Sequence, residues 1–476
     1  MRTTISRVWG ALAALAVLGA ASVPAAPADD APTVPAAAER LAEAIRFPTI
    51  SWEETDRFDR EAFLRFHAFL ERSFPRVHRS LRREVVNEYS LLYTWQGEDP
   101  NQKPILLTDH FDVVPVAEET LDEWQHPPFA GAIADGFVWG RGTMDDKSAA
   151  MALLEAVESL LAQGFAPKRT IYLAIGHDEE LGGDEGAAAT AALLRERGVR
   201  LEFTLDEGGA VVSGAVPGVE APVAMIGVAE KGYAIIEVTA RGDGGHSSMP
   251  PRTTAIGRLA RAIQRIEDNP MPARVSGPAG LLFDEIGEHM KFPLGTVVEN
   301  RWLFSPILRF YLSGNPATNA LIRTTTAVTV VSGGVKPNVL PGTATALVNF
   351  RLLPGDTGED VFAHVREAVE DDDVAVELVY AHEASPVADP KSASFELLRA
   401  SLAEVMPDVI AAPYLTVAGT DTKHYVDLAE NSYRFHALRA GPDDLTRAHG
   451  VNERIAVANY AECIAFNEAV IRRAAE

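Results

Sequence analysis

The sequence predicts an α/β fold in two parts: a doubly wound, largely parallel sheet, and a smaller ferredoxin-like α+β unit inserted into it. Three observations carry that expectation. Short apolar runs recur at strand length, helices of 3.6-residue period alternate with them, and past Gly227 the order changes to β-α-β-β-α-β. Pro104–Thr108 (PILLT), Thr170–Gly176 (TIYLAIG) and Leu201–Leu205 (LEFTL) read as parallel strands covered on both faces. Between the first two, Asp145–Gln163 places Leu153, Leu154, Val157, Leu160 and Leu161 on one helical stripe, and Gly164 ends it. Ala187–Arg197, closed by Gly198, repeats the arrangement.

The second part begins with a strand at Tyr233–Ala240 and a helix at Ala255–Glu267, whose Ile256, Leu259, Ile263 and Ile266 share a face. Thr325–Val331 and Thr343–Leu352 follow as strands, Gly358–Glu370 as a helix and Val374–Tyr380 as the last strand. Residues 270–322 are inserted after the first of these helices, and helix–loop patterns resume after Pro386. The expected organisation is a discontinuous larger domain, 34–227 and 384–476, around a smaller one at 228–383.

Composition narrows the function classes. A chain of 476 residues with 47% hydrophobic content is neither wholly disordered nor a multi-span membrane protein. The single cysteine, Cys463, excludes an intrachain disulfide and a cysteine-built metal site. A formal charge of -24 opposes binding to nucleic acid or to an anionic membrane surface. At the N-terminus, Arg2 and Arg7 precede an apolar run, Val8 to Val23, and small residues up to Ala26. Residues 1–26 therefore read as a secretory signal peptide, and the mature protein is expected to be periplasmic or secreted. The run falls short of the roughly 20 residues that a membrane span needs.

Chemistry concentrates where the three buried strands end. Asp109, His110, Phe111 and Asp112 follow the first, His177, Asp178, Glu179 and Glu180 the second, and Asp206 and Glu207 the third. Sites in open α/β sheets form beyond the carboxyl ends of strands, so these groups should converge. A further run, Gly140 to Lys147 (GRGTMDDK), opens the helix between the first two strands. Singly, each acid reads as a helix cap or a solvated loop end. Together they require neutralisation, and histidine with carboxylates suits zinc, two ions sharing one carboxylate better than one.

Four motifs, taken in order, resemble the dinuclear zinc metallopeptidase family of aminoacylases, glutamate carboxypeptidase, succinyl-diaminopimelate desuccinylase and Gly-Xaa carboxypeptidases. They are His110-Phe-Asp112-Val-Val-Pro115, Gly140-Arg-Gly142 with Asp145-Asp146-Lys147, Asp178-Glu179-Glu180 with Gly182-Gly183, and Gly245-His246-Ser-Ser-Met-Pro250. The likeness runs from about Leu41 to Ile471. It implies a zinc-peptidase-like larger domain, a lid that often forms the family's dimer, and two zinc ions per subunit, with cobalt or manganese able to substitute. One ion would be held by His110 and Asp206 and the other by Glu180 and His449, with Asp145 bridging. Asp206 and Glu207 face opposite ways on a strand and relatives differ in which one binds; Asp206 is the favoured choice. The resemblance makes Glu179 the general base, Asp112 the carboxylate orienting His110, and His246 the lid histidine that stabilises an oxyanion.

Asn338, Arg351 and the Gly419-Thr420-Asp421 loop are implied on the substrate side, with Arg351 suited to a free carboxylate. Without the resemblance, Arg351 reads as a salt-bridged strand residue. His424 competes as a metal ligand but is less well placed than His449. The apolar stretch Arg301–Leu312 reads as a pocket wall for an acyl or side chain, a subunit contact, or a helix packed on the lid's own sheet. That insertion and the Leu-Asp-Glu-Gly-Gly motif bring the chain nearest the carboxypeptidase S and N-fatty-acyl-amino-acid hydrolase branch. The expected activity is hydrolysis of the amide bond of N-acyl amino acids or short peptides with a free carboxylate. A specialised fatty-acyl hydrolase or synthase, and a non-catalytic metal-binding homologue, are the alternatives.

Overall fold

A computed structural model describes residues 36–214 and 216–476; the signal-peptide expectation lies outside them. Among the described residues no helix is long and apolar enough to cross a membrane. The three apolar runs form neighbouring parallel strands, Ile105–His110 between Ile171–Gly176 and Leu201–Asp206. They are central to a ten-stranded sheet that begins at Arg82–Val86 and Ser90–Trp95. Beyond Leu201–Asp206 it continues through Ala429–Arg434 and Val223–Glu230 to the short strands Val211–Val212 and Arg439–Ala440, with Ile410–Thr416 also on Val223–Glu230. The C-terminal region thus contributes strands as well as helices.

Helices pack on this sheet as their periodicity requires. Lys147–Ala162 buries Leu153, Leu154, Val157 and Leu160, and lies against the C-terminal helix Val457–Ala475. A chain of aromatic contacts through Phe63, Phe66 and Phe111 fastens the helix Arg60–Ser73 to the loop that follows His110. That packing holds the base of the site.

The chain leaves the large sheet at Glu230 and enters a separate four-stranded antiparallel sheet one residue later, at Gly232–Arg241. It returns beside its exit, where Ser385 and Ala388 donate to the carbonyls of Glu230 and Val228. The small sheet runs Thr325–Gly333, Thr343–Leu352, Gly232–Arg241, Val374–His382, the order of a split β-α-β repeat. Alternate residues Ala234, Ile236, Val238 and Ala240 face the helices Ala255–Asp268 and Gly358–Val369, making a second core.

Residues 270–322 form four helices, and the first of them does not belong to the small sheet. Leu282 and Ile286 of Pro278–Gly287 pack with Val212, Val223 and Ala412 of the large sheet. An Arg399–Glu285 ion pair at 2.7 Å ties the same helix to Ala393–Val405. The insertion therefore roofs the large sheet near the ends of its strands.

Candidate metal centre

His110 ends its strand, and Glu179 and Glu180 open a short turn just after the neighbouring one. Strand order brings them together, and two groups of possible ligand atoms result. His110, Glu179 and Glu207 form one; Asp145, Glu180 and His449 form the other, with the ligand atoms in each within 4.8 Å of one another. Asp145 stands between them: its Oδ1 is 3.2 Å from Nε2 of His110 and its Oδ2 is 3.0 Å from Nε2 of His449. One carboxylate facing two imidazoles through its two oxygens is the disposition a bridging ligand requires.

Asp206 does not join this cluster. Its Oδ2 accepts from the backbone N–H and hydroxyl of Thr422, at 2.7 and 2.6 Å, and its Oδ1 accepts from the Glu207 N–H. Glu207, on the opposite side of the backbone, supplies the carboxylate instead. The alternation was legible in the sequence, but which side faced the crevice was not. His424 is committed elsewhere, its Nε2 donating to the Gly182 carbonyl at 2.9 Å.

Several groups hold the ligands in place. Asp112 is fully buried, its Oδ1 lies 3.3 Å from Nδ1 of His110, and it accepts from Ser51 and from the N–H groups of Glu179 and Glu180. One carboxylate thus orients an imidazole and the turn carrying two further acids. Glu453 does the same for the other side. It accepts from Arg141 Nη1 at 2.7 Å and from the N–H groups of Gly142, Met144 and Asp145. Arg141 also donates to the carbonyl of His449, a residue in the left-handed region at φ 60°. Gly140 is required here: a Cβ would meet Ile45 at 2.4 Å and the Pro128 carbonyl at 2.6 Å. In the sequence Glu453 is an acid four residues after His449, with no spacing signal for its role.

The electrostatics are those of crowded carboxylates. Burial, then repulsion from Glu207 and Asp421, holds Glu179 well above the usual carboxylate range. Burial, then Asp145 and Asp206, does the same to Glu207. Burial opposes ionisation of Asp145 too, but bonds from His110 and His449 outweigh it and hold that carboxyl low. Bonds to Asp145 and Glu180 push His449 up to about 10. The buried Oε1 of Glu180 has no hydrogen-bond partner, so the donor set has capacity left for an ion.

The substrate-side residues separate into two places. His246 and Val339 pair on a two-stranded ribbon, and Ser247 donates to the Asn338 carbonyl, so His246 and Asn338 are neighbours there. Among the described residues the His246 ring bonds only Ser248. Arg351 lies on the small sheet with its guanidinium 4.9 Å from the Tyr233 ring and, among the described residues, no carboxylate partner, so the salt-bridged reading fails. Thr420 is buried and donates to Glu230 at 3.0 Å, which makes its hydroxyl a loop anchor, whereas Gly419 opens on free space.

A cavity of about 470 Å³ opens beside the cluster. Asp145, Asp146 and Glu207 line it, together with Leu282, Ile286, Leu308 and Leu312 of the insertion.

Fold and site together define a hydrolase of the metallopeptidase type. The chain belongs to the Peptidase family M20/M25/M40, whose profile matches residues 106–473. Within that family it is 45% identical over 434 residues to the "Probable carboxypeptidase S-like 2" of Dictyostelium discoideum, covering 90% of this chain and 83% of that one. It is 40% identical over 434 residues to the mouse (Mus musculus) "N-fatty-acyl-amino acid synthase/hydrolase PM20D1", covering 90% and 86%. The fold matches the M20 family metallo-carboxypeptidase Sso-CP2 of Sulfolobus solfataricus at TM-score 0.63 and 18% identity, over 92% of this chain and 98% of that one.

Proposed function

We propose that this protein is an exported, zinc-dependent amidohydrolase that cleaves N-acyl amino acids carrying a long apolar acyl group. The observation that carries the reading is the cavity joining the carboxylate cluster to the apolar insertion. Its volume is that of a small-molecule site, and its lining is mostly apolar, with Asp145, Asp146 and Glu207 as its acids. A dipeptide would leave most of that wall facing water. The likeness to the mouse enzyme supports the same class of substrate.

His110 and Glu207 would hold one cation, Glu180 and His449 the other, with Asp145 shared. Such ions polarise a carbonyl and bring the pKa of water toward neutrality. Glu179, beside His110 and Glu207, is positioned to take a proton from the attacking water and return it to the departing amine. Arg351, free of any acid among the described residues, receives the carboxylate of the leaving amino acid, and His246 and Asn338 enclose the amide from the ribbon.

The test is a panel of N-acyl glycines and other acyl amino acids of increasing chain length, set beside dipeptides, with zinc-loaded protein. Catalytic efficiency should rise with acyl length, and the matching carboxamides should be poor substrates. Activity on dipeptides alone would overturn the acyl reading. Export is tested by sequencing the N-terminus of the protein recovered outside the cytoplasm, expected to begin close after Ala26.

A further inference from the structure

The helix Arg301–Leu312 leaves most of its apolar surface uncovered. Trp302 is 79% exposed and Phe310 73%, and Leu303, Ile307 and Tyr311 are exposed with them. Positions 302, 303, 306, 307, 310 and 311 lie three or four residues apart in two adjoining rows, so they form one continuous face. Only Leu308 and Leu312, on the other side, are buried. A contiguous patch of this kind marks a surface that meets something apolar.

Two features indicate what it meets. The helix carries no acid of its own, in a chain with 67 acidic residues against 43 basic ones; its Arg309 is exposed, and its Arg301 pairs with Asp284 at 2.6 Å. Tryptophan and tyrosine beside leucine and isoleucine, with arginine at the edge, is the make-up of a helix lying in a lipid interface. The exposed face also continues into the cavity: Leu308, Tyr311 and Leu312 line it, and Tyr311 is exposed to solvent as well.

We propose that this face docks on a zwitterionic lipid surface, with Trp302 and Phe310 seated in the headgroup boundary, and that amphiphilic substrate passes from that surface by Tyr311 into the cavity. The formal charge of -24 disfavours an anionic surface. The passage of substrate rests on the acyl-chain reading above; the docking does not.

The experiment is flotation of the mature protein, beginning after Ala26, with phosphatidylcholine vesicles, in parallel with a W302S/F310S variant. Both positions are exposed, and L303S/I307S serves as an independent second variant. The parent should co-float, and each double variant should lose about ten-fold or more of its partitioning. Equal flotation of parent and variants would show that another segment binds, and absence of flotation in the parent would show that none does; either overturns the proposal. A concentration-dependent dimer that the same substitutions dissolve, without flotation, assigns the face to a second copy instead. Flotation reads no hydrolysis, so a failed acyl panel and a failed docking surface are separately visible.

Discussion

Asp206, buried, and Glu207, half-buried, are consecutive at the end of one strand, yet their carboxylates serve different ends. Asp206 secures the Thr422 loop; Glu207 faces His110. Glu207→Gln should therefore lower the bound metal from two ions toward one per chain, whereas Asp206→Asn should leave metal content near two. Elemental analysis of the purified variants decides it, and the reverse pattern would restore the Asp206 assignment. Glu179 is the complementary case, a half-buried acid whose carboxyl is held high by loss of solvent and by Glu207 and Asp421. Glu179→Ala should keep both metals and reduce kcat by about 10²–10⁴-fold, the range for removing a positioned general base. A metal-loaded variant with near-parental turnover would sink that role.

Elements matter because the loops that carry Asp145 and His449 are held by residues of other segments. The loop carrying Asp145 and the loop carrying His449 are more than 300 residues apart in sequence, and Arg141 with Glu453 joins them. Glu453 accepts four hydrogen bonds while fully buried, so Glu453→Ala strands a buried guanidinium and three backbone N–H groups. Denaturant unfolding of this variant should show a loss of about 3–5 kcal/mol, the usual cost of breaking a buried ion pair. Metal affinity should fall about 10–100-fold, as for other residues that position ligands. The same reasoning explains a strand that pattern reading misses. Ala429–Arg434 (AENSYR) looks like a polar loop, yet Arg434 is fully buried against Glu230 at 3.1 Å. Its polarity is paired inside the fold, which a hydrophobicity pattern cannot register.

At the scale of the whole molecule, the cluster couples metal, protons and stability. His449 rises from 6.5 to about 10 when the protein folds without metal. A raised pKa contributes stability that is fully present below about pH 6.5 and is lost as pH climbs through 10. The raised carboxyls of Glu179 and Glu207 act in the same direction from their own unfolded values upward. Metal-stripped protein should accordingly lose thermal stability as pH rises from 6.5 to 10, and zinc should restore most of it by replacing the protons. Melting curves with and without chelator across that window test this, and a stripped protein of constant Tm would contradict it.

The parallel strands, their helices and the split β-α-β order of the small sheet were readable from the sequence. Each depends on local periodicity, and a period of two or 3.6 residues is written in neighbouring positions. The motifs around His110, Asp145, Glu179 and Glu180 were readable too, because sites gather at the ends of parallel strands. Three features depended on long-range packing: the choice of Glu207 over Asp206, the buried Arg141–Glu453 clasp, and the insertion's seat on the large sheet through Leu282 and Ile286. In each, a side chain's partner lies tens or hundreds of residues away. Direction and pairing are then settled by which surfaces meet when the chain closes, and no local pattern records that.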